Sequence, residues 1–206
     1  MHPNPAFRKA ENEANLAFAR ARGFGILTAA GPDGPLASHV PFVISADGTL
    51  MESHLVPSNP LARALREGAA PALLAVSGPD GYVSPDWYGA QDQVPTWNYV
   101  AVHLRGPLKL EPEARLRPVL TAISEAFEPR LAPKTPWTMD KMDPAALGKL
   151  MRAIVPVSMK LEAVDGTWKL NQNKDEGARQ GAAEAIEGSV GSELELLAAL
   201  MRDPPA

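Results

Sequence analysis

The densest cluster of groups able to recognise a small molecule lies between Val94 and Gly106. There Trp97, Asn98, Tyr99, His103 and Arg105 follow closely on Trp87 and Tyr88. Flat aromatic side chains beside amides suit the face and edge of a planar heterocycle, and a β-barrel uses the same residues as core and loop anchors. A second candidate is Ser58-Asn59-Pro60. Asn59 is a capping residue and Pro60 fits a first helical position, so a helix begins here. Its N–H groups, with Arg63 and Arg66 in the first two turns, make either an anion site or simply a capped helix.

Other chemistries lack their parts. The chain has no cysteine, which removes disulfides, thiolate metal sites and cysteine nucleophiles. None of His2, His39, His54 and His103 forms an i, i+4 pair. His39 and His54 flank a hairpin turn and offer two ligands without a third, so no metal site is expected. Ser38-His39 and Ser84 are not set in a G-x-S-x-G elbow, and neither a Walker A nor a G-x-G-x-x-G sequence occurs. No catalytic residue is nominated.

The elements that must position these groups are mostly strands. Residues Pro5–Arg22 carry Ala10, Ala14, Ala17, Phe18 and Ala21 at helical spacing, closed by Gly23. The period then falls to two. Phe24–Ala30, Leu36–Ser45 and Thr49–Val56 read as strands joined at Asp33-Gly34 and Asp47-Gly48. Pro57–Gly68 is a short helix. Pro71–Ser77 and Gly81–Ser84 are expected as two strands around Asp80-Gly81, followed by a loop and the long strand Trp97–Leu110. Leu116–Phe127 is helical, and Asp143-Pro144 opens a helix over Ala145–Ile154. Val157–Val164 and Thr167–Gln172 read as a hairpin about Asp165-Gly166. Helical stretches follow at Glu176–Ile186 and Leu194–Met201, the second with a capping box of Ser192 and Glu195.

The expected fold is mainly β with peripheral helices, one antiparallel barrel over residues 1–180 and a helical tail over 181–206. With 206 residues, 45% of them apolar, the chain can bury a sizeable core. A formal charge of −4 argues against a protein that mainly grips phosphate backbones. No signal-peptide core or membrane-length apolar run occurs, so the expected location is the cytoplasm, with no membrane partner.

Four co-linear blocks resemble one family. VPTWNYVAVHLRG (94–106), GYVSPDWY (81–88), LASHVPFVIS (36–45) with SHLVPSNP (53–60), and LMRAIVPVSMKLEAVDGTWKLNQNK (150–174) are similar to the PaiB-type FMN-binding proteins. The resemblance implies an antiparallel split β-barrel of the pyridoxamine-phosphate-oxidase-like kind. It also implies a homodimer with FMN at the subunit interface, and a family role described as negative transcriptional regulation. Carried across, Thr28 and the strand Ser38, His39, Val40, Pro41 lie against the flavin ring. His54, Ser58, Asn59 and Arg63 sit toward the ribityl phosphate. Trp97, Asn98 and Tyr99 line the pocket, and Lys169, Gln172 and Asn173 complete it. One departure bears on affinity. The family often carries a basic residue before its Asn-Pro, where this chain reads His54-Leu55-Val56-Pro57-Ser58-Asn59-Pro60.

Two functions follow. In the first, redox chemistry belongs to bound FMN, hydride arrives from a nicotinamide or another reduced partner, and the protein orients the ring. Whether that amounts to enzymatic turnover is left open. In the second, the chain acts on transcription. A groove-reading helix needs Arg, Lys, Asn or Gln near its start, and Leu194–Met201 has no basic residue before Arg202, so direct DNA binding is not expected. A flavin-free sensing or interaction module is the alternative.

Overall fold

The computed structural model describes residues 1–205. Among the described residues six α-helices and eight strands follow one another: α1 Asn12–Arg22, β1 Phe24–Gly31, β2 Gly34–Ile44, β3 Leu50–Leu55, α2 Pro60–Ala64, β4 Ala70–Val83 and β5 Thr96–Leu110. There follow α3 Leu116–Phe127, α4 Pro144–Met151, β6 Val155–Lys160, β7 Ala163–Lys169, α5 Glu176–Ala185, β8 Gly191–Ser192 and α6 Leu194–Arg202. The strand order is β7-β5-β6-β3-β2-β1-β4-β8, and β5 pairs with β4 as well. The six strands β5, β6, β3, β2, β1 and β4 are thus a cycle of hydrogen-bonded neighbours, and every pairing whose register is resolved is antiparallel.

The chain forms two compact units. The first comprises residues 20–75 and 104–163. Its core follows from alternation in β1, β2 and β3: Leu27, Val40, Phe42, Ile44, Met51 and Leu55 point inward and are buried. Each such large apolar side chain contributes roughly 1.5–3 kcal/mol on leaving water. Gly23 ends the preceding helix at φ 59°, and a Cβ there would lie 2.2 Å from the Phe127 ring, so no other residue fits. Helix α3 buries Leu116 and Val119 and contacts β2, β3 and β6.

The second unit comprises residues 1–19, 76–103 and 164–206. Its core gathers Val83, Tyr88, Val100, Trp168 and Leu170 with Ala182, Ile186, Leu197 and Met201 of the C-terminal segment. Asn15, 3% exposed, accepts the Trp168 indole N–H at 2.8 Å and so ties α1 to β7 within this unit.

Four expectations about local structure need correction. The N-terminal helix is broken: Asn4 caps a 3-10 turn at Pro5–Phe7, Phe7 is buried, and α1 begins only at Asn12. Asp80-Gly81 is no turn but part of the uninterrupted β4. Gly81 lacks positive φ, and a Cβ there would meet Leu194 and Leu197 at 2.9 Å. Asp165-Gly166 likewise lies inside β7, and β6 and β7 both flank β5 instead of pairing with each other. Ser192 is held in β8 opposite Asp80, and Glu193 precedes α6 in a left-handed conformation with no side-chain cap, so the capping box does not form.

Candidate functional site

In the first unit, β1 and β2 pair with Ile26 opposite His39 and Thr28 opposite Ala37, and β1 pairs with β4 with Thr28 opposite Leu73. Residues two apart share a face, so Phe24, Ile26, Thr28, His39, Pro41, Leu73 and Ala75 form one outward surface. Phe24 is 54% exposed and its ring stacks on His39 at 6.3 Å with an interplanar angle of 29°. Thr28 donates its hydroxyl to the Leu73 carbonyl at 3.1 Å. Val40 points the other way and is buried in the core.

The start of α2 meets the other face of β2, the one on which Ser38 lies with Val40. The side-chain oxygen of Asn59 accepts the Leu61 N–H at 2.9 Å, as expected for a cap, and its amide nitrogen donates to Ser38 Oγ at 2.7 Å. Ser38 therefore accepts from Asn59 and keeps its own proton for another acceptor. Ser58 is exposed. Arg63, also exposed, lines a cavity of about 460 Å³ with Asp33, Gly34, Leu36 and Pro60. His54 lies on β3 opposite Pro156, which has no N–H to offer, and its Nδ1 is buried without a hydrogen-bond partner. Burial alone lowers the imidazole pKa from its usual value near 6.5. The β2–β3 register sets Phe42 opposite Ser53 and Ile44 opposite Met51, so His39 and His54 are not cross-strand partners. No three His, Cys, Asp or Glu side chains among the described residues gather as a metal site.

The second unit holds the other expected residues. Alternation along β5 turns Trp97 and Tyr99 one way and Asn98 the other. Trp97 is 46% exposed and packs edge-on against Tyr82 at 6.3 Å. Burial raises the Tyr99 hydroxyl pKa. Asn98 is fully buried: its amide nitrogen reaches only Met201 Sδ at 3.4 Å and its Oδ1 has no partner. Lys169 donates to Thr96 Oγ1 and to the Trp97 carbonyl at 2.7 Å, and burial lowers its pKa. Gln172 is consumed by its own turn, accepting from Leu170 N at 2.8 Å and donating to the Trp168 carbonyl at 2.5 Å. Asn173 is exposed. Asn171, not among the residues expected from the sequence, is 2% exposed at φ 65° and accepts the Tyr88 hydroxyl at 3.4 Å. Its one sequence signal is that Asn tolerates positive φ.

The first-unit residues fit a flavin phosphate ester. An apolar surface carries Thr28 and His39, and donors stand on the other face of β2 in the Ser38–Asn59 pair and beside the β1–β2 hairpin in Arg63. The orphaned His54 nitrogen is a buried polar atom still to be matched, a state that costs about 1–3 kcal/mol unless a ligand or water answers it. Phe24 belongs to the same surface, and its alternation with Ile26 and Thr28 was the signal that could have found it.

Comparison with known proteins agrees. Residues 1–163 match the family described as "Putative FMN-binding domain". The chain is 29% identical over 202 residues to "Protease synthase and sporulation protein PAI 2" of Bacillus subtilis, covering 97% of this chain and 96% of that protein. Among solved structures, the flavocytochrome Anf3 from Azotobacter vinelandii superposes with a TM-score of 0.59 at 18% identity, over 82% of this chain and 72% of the other. The FAD and heme binding protein from Mycobacterium smegmatis gives 0.57 at 18%, over 79% and 73%. These two share the fold. The chain belongs to the FMN-binding split-barrel family of PaiB-type proteins, and FMN is its cofactor.

Proposed function

We propose that the protein works as a homodimeric, cytoplasmic FMN flavoprotein and that its effect on transcription is indirect. The observation that carries this reading is the outward surface of β1, β2 and β4. It is apolar enough to meet a second copy, and the strand β2 that helps to form it carries the Ser38–Asn59 pair on its other face, with Arg63 beside the β1–β2 hairpin. Flavin sites shared between subunits need both features, a flat dry floor and a donor-rich end.

Each residue then has a task. Phe24, Ile26 and Pro41 exclude water from the ring, and Thr28, engaged with the Leu73 carbonyl, fixes the β1–β4 edge. Ser38, with its oxygen already accepting from Asn59, directs its proton to a phosphate oxygen. Arg63 supplies the charge that the chain lacks just before Asn59-Pro60. The chemistry FMN supplies when bound is hydride acceptance and release, with a nicotinamide or another small reductant as donor.

Direct DNA recognition is not part of this reading. Helix α6 buries Leu197, Ala198 and Met201, opens Leu194-Glu195, and has no base-reading side chain in its first turn.

The test is spectroscopic. The purified protein should show flavin absorbance, or bind added FMN stoichiometrically, and light scattering should return a dimer mass at micromolar concentration. A monomer with an unchanged flavin site would overturn the shared-site reading. A sequence-specific, salt-dependent shift of promoter DNA would overturn the indirect one.

A further inference from the structure

A second cavity, of about 390 Å³, lies between α3 and the proline-rich segment that follows it. That volume is at the small end of the range for ligand pockets, and the cavity shares no lining residue with the flavin candidates. It is built rather than incidental. Glu128, just past the end of α3, accepts the Trp137 backbone N–H at 2.7 Å and the Lys134 ammonium, and Lys141 donates to the Pro136 carbonyl at 2.8 Å. These bonds hold the segment over a face of α3 that presents Arg117, Thr121, Ser124 and Glu125, residues four, three and one apart on adjacent turns.

Its wall is apolar: Pro129, Pro136, the half-buried Trp137 and the buried Met139. Of its charged groups Glu128 is paired with Lys134, whereas Arg117, Glu125 and Asp140 have no ionic partner among the described residues. Among the described residues the Arg117 guanidinium reaches only Met139 Sδ, at 3.8 Å, and forms no ion pair. That contact brings Arg117 to the end of the cavity where Asp140, next to Met139 in the same 3-10 turn, is also without a cationic partner. A cation and an anion at one end of an apolar pocket, neither neutralising the other, disfavour a ligand carrying only one sign. Each would repel one single-signed class and attract the other.

We propose that this cavity binds a free apolar or aromatic α-amino acid. Its carboxylate is held by Arg117, its ammonium by Asp140, and its side chain lies against Trp137 and the two prolines. The planar guanidinium matches a carboxylate in two-point contact, and the indole gives an aromatic or branched side chain a flat surface. Thr121 and Ser124 supply hydroxyls for the remaining donors and acceptors of the head group. The site is separate from the flavin site, so loading it offers a route by which amino-acid supply could reach the protein.

The full-length, FMN-loaded protein is titrated calorimetrically with L-phenylalanine, phenethylamine, 3-phenylpropanoate and N-acetyl-L-phenylalanine. Saturable binding of L-phenylalanine is expected, with the three single-charge analogues at least about tenfold weaker, a loss of about 1.4 kcal/mol. Arg117→Gln and Asp140→Asn, both exposed and outside the core, should each cost at least about tenfold in L-phenylalanine affinity while flavin absorbance stays unchanged. Trp137→Leu tests the wall by the same readout. No saturable binding of L-phenylalanine overturns the proposal, as does equal binding of the capped or single-charge analogues. So does an Arg117→Gln protein that binds like the parent. Loss of flavin in either charge variant would count against a separate site.

Discussion

Asn59 binds in two directions at once: its Oδ1 accepts the Leu61 N–H at 2.9 Å, and its Nδ2 donates to Ser38 Oγ at 2.7 Å on strand β2. One side chain therefore both starts α2 and sets the orientation of the Ser38 hydroxyl. The two roles can be separated. Asn59→Asp keeps an oxygen for the cap but loses the donor and adds a negative charge beside the proposed phosphate position. Its thermal midpoint should stay near the parent's while FMN affinity falls about tenfold or more. Asn59→Ala should lose both, with a stability cost of about 1 kcal/mol in denaturant titration. Equal FMN affinity in Asn59→Asp and parent would remove Ser38 and Asn59 from the phosphate end.

His54 makes stability depend on pH. Burial lowers its folded-state pKa below the usual 6.5, so the unfolded chain takes up a proton that the folded chain resists. This contribution is fully present above about pH 6.5 and is lost as pH falls below that value toward the depressed folded pKa. Melting temperature should therefore drop between roughly pH 7 and pH 5, and His54→Gln should show a shallower drop than the parent. If bound FMN engages Nδ1, adding FMN should change this slope, and an identical slope with and without FMN would argue that the flavin does not touch His54.

Gly166 and Asn15 are locked by proximity. A Cβ on Gly166 would fall 1.9 Å from Asn15 Oδ1, and Asn15 is held buried by the Trp168 indole. Gly166→Ala should therefore cost about 2 kcal/mol or more, since a well-packed interior absorbs an added carbon only by displacing its neighbours. Asn15→Ala in the same chain removes the obstructing amide, so the double variant should lose less than the sum of the two single losses. Additive losses in chemical denaturation would mean that the strain lies elsewhere.

The same glycine explains why part of the fold was legible and part was not. Asp33-Gly34 and Asp47-Gly48 read as turns because Gly34 and Gly48 do adopt positive φ there. Asp80-Gly81 and Asp165-Gly166 carry the same dipeptide, yet their glycines serve close packing against Leu194, Leu197 and Asn15, partners that are remote in sequence. Local spelling cannot separate these uses. Helix α3 was legible to the residue because its apolar spacing is local, whereas Ser192 is claimed by a pairing with Asp80 across the chain. At the site, the alternation of Trp97, Asn98 and Tyr99 already implied that one of the three faces away from the other two. Which one is buried depends on Met201, about a hundred residues further on.

The outward surface of the first unit makes the last prediction. Phe24 is more than half exposed, which is unfavourable for so large an apolar ring unless something covers it, and it stands in register with Pro41 and stacked on His39. A second copy would cover it and a flavin ring would lie near it, so a charge there should strike both properties. Phe24→Glu places a carboxylate on the surface without disturbing the core, because inward-facing Leu27 and Val40 are untouched. The variant should keep the parent's far-ultraviolet circular dichroism, sediment as a monomer and lose most of its bound flavin. Phe24→Leu, apolar but not aromatic, should remain dimeric, and any loss of flavin would then be assigned to stacking rather than to assembly. If Phe24→Glu stays dimeric and yellow, neither the subunit contact nor the flavin lies on this face, and the Ser38–Asn59 pair becomes only the cap of a short helix.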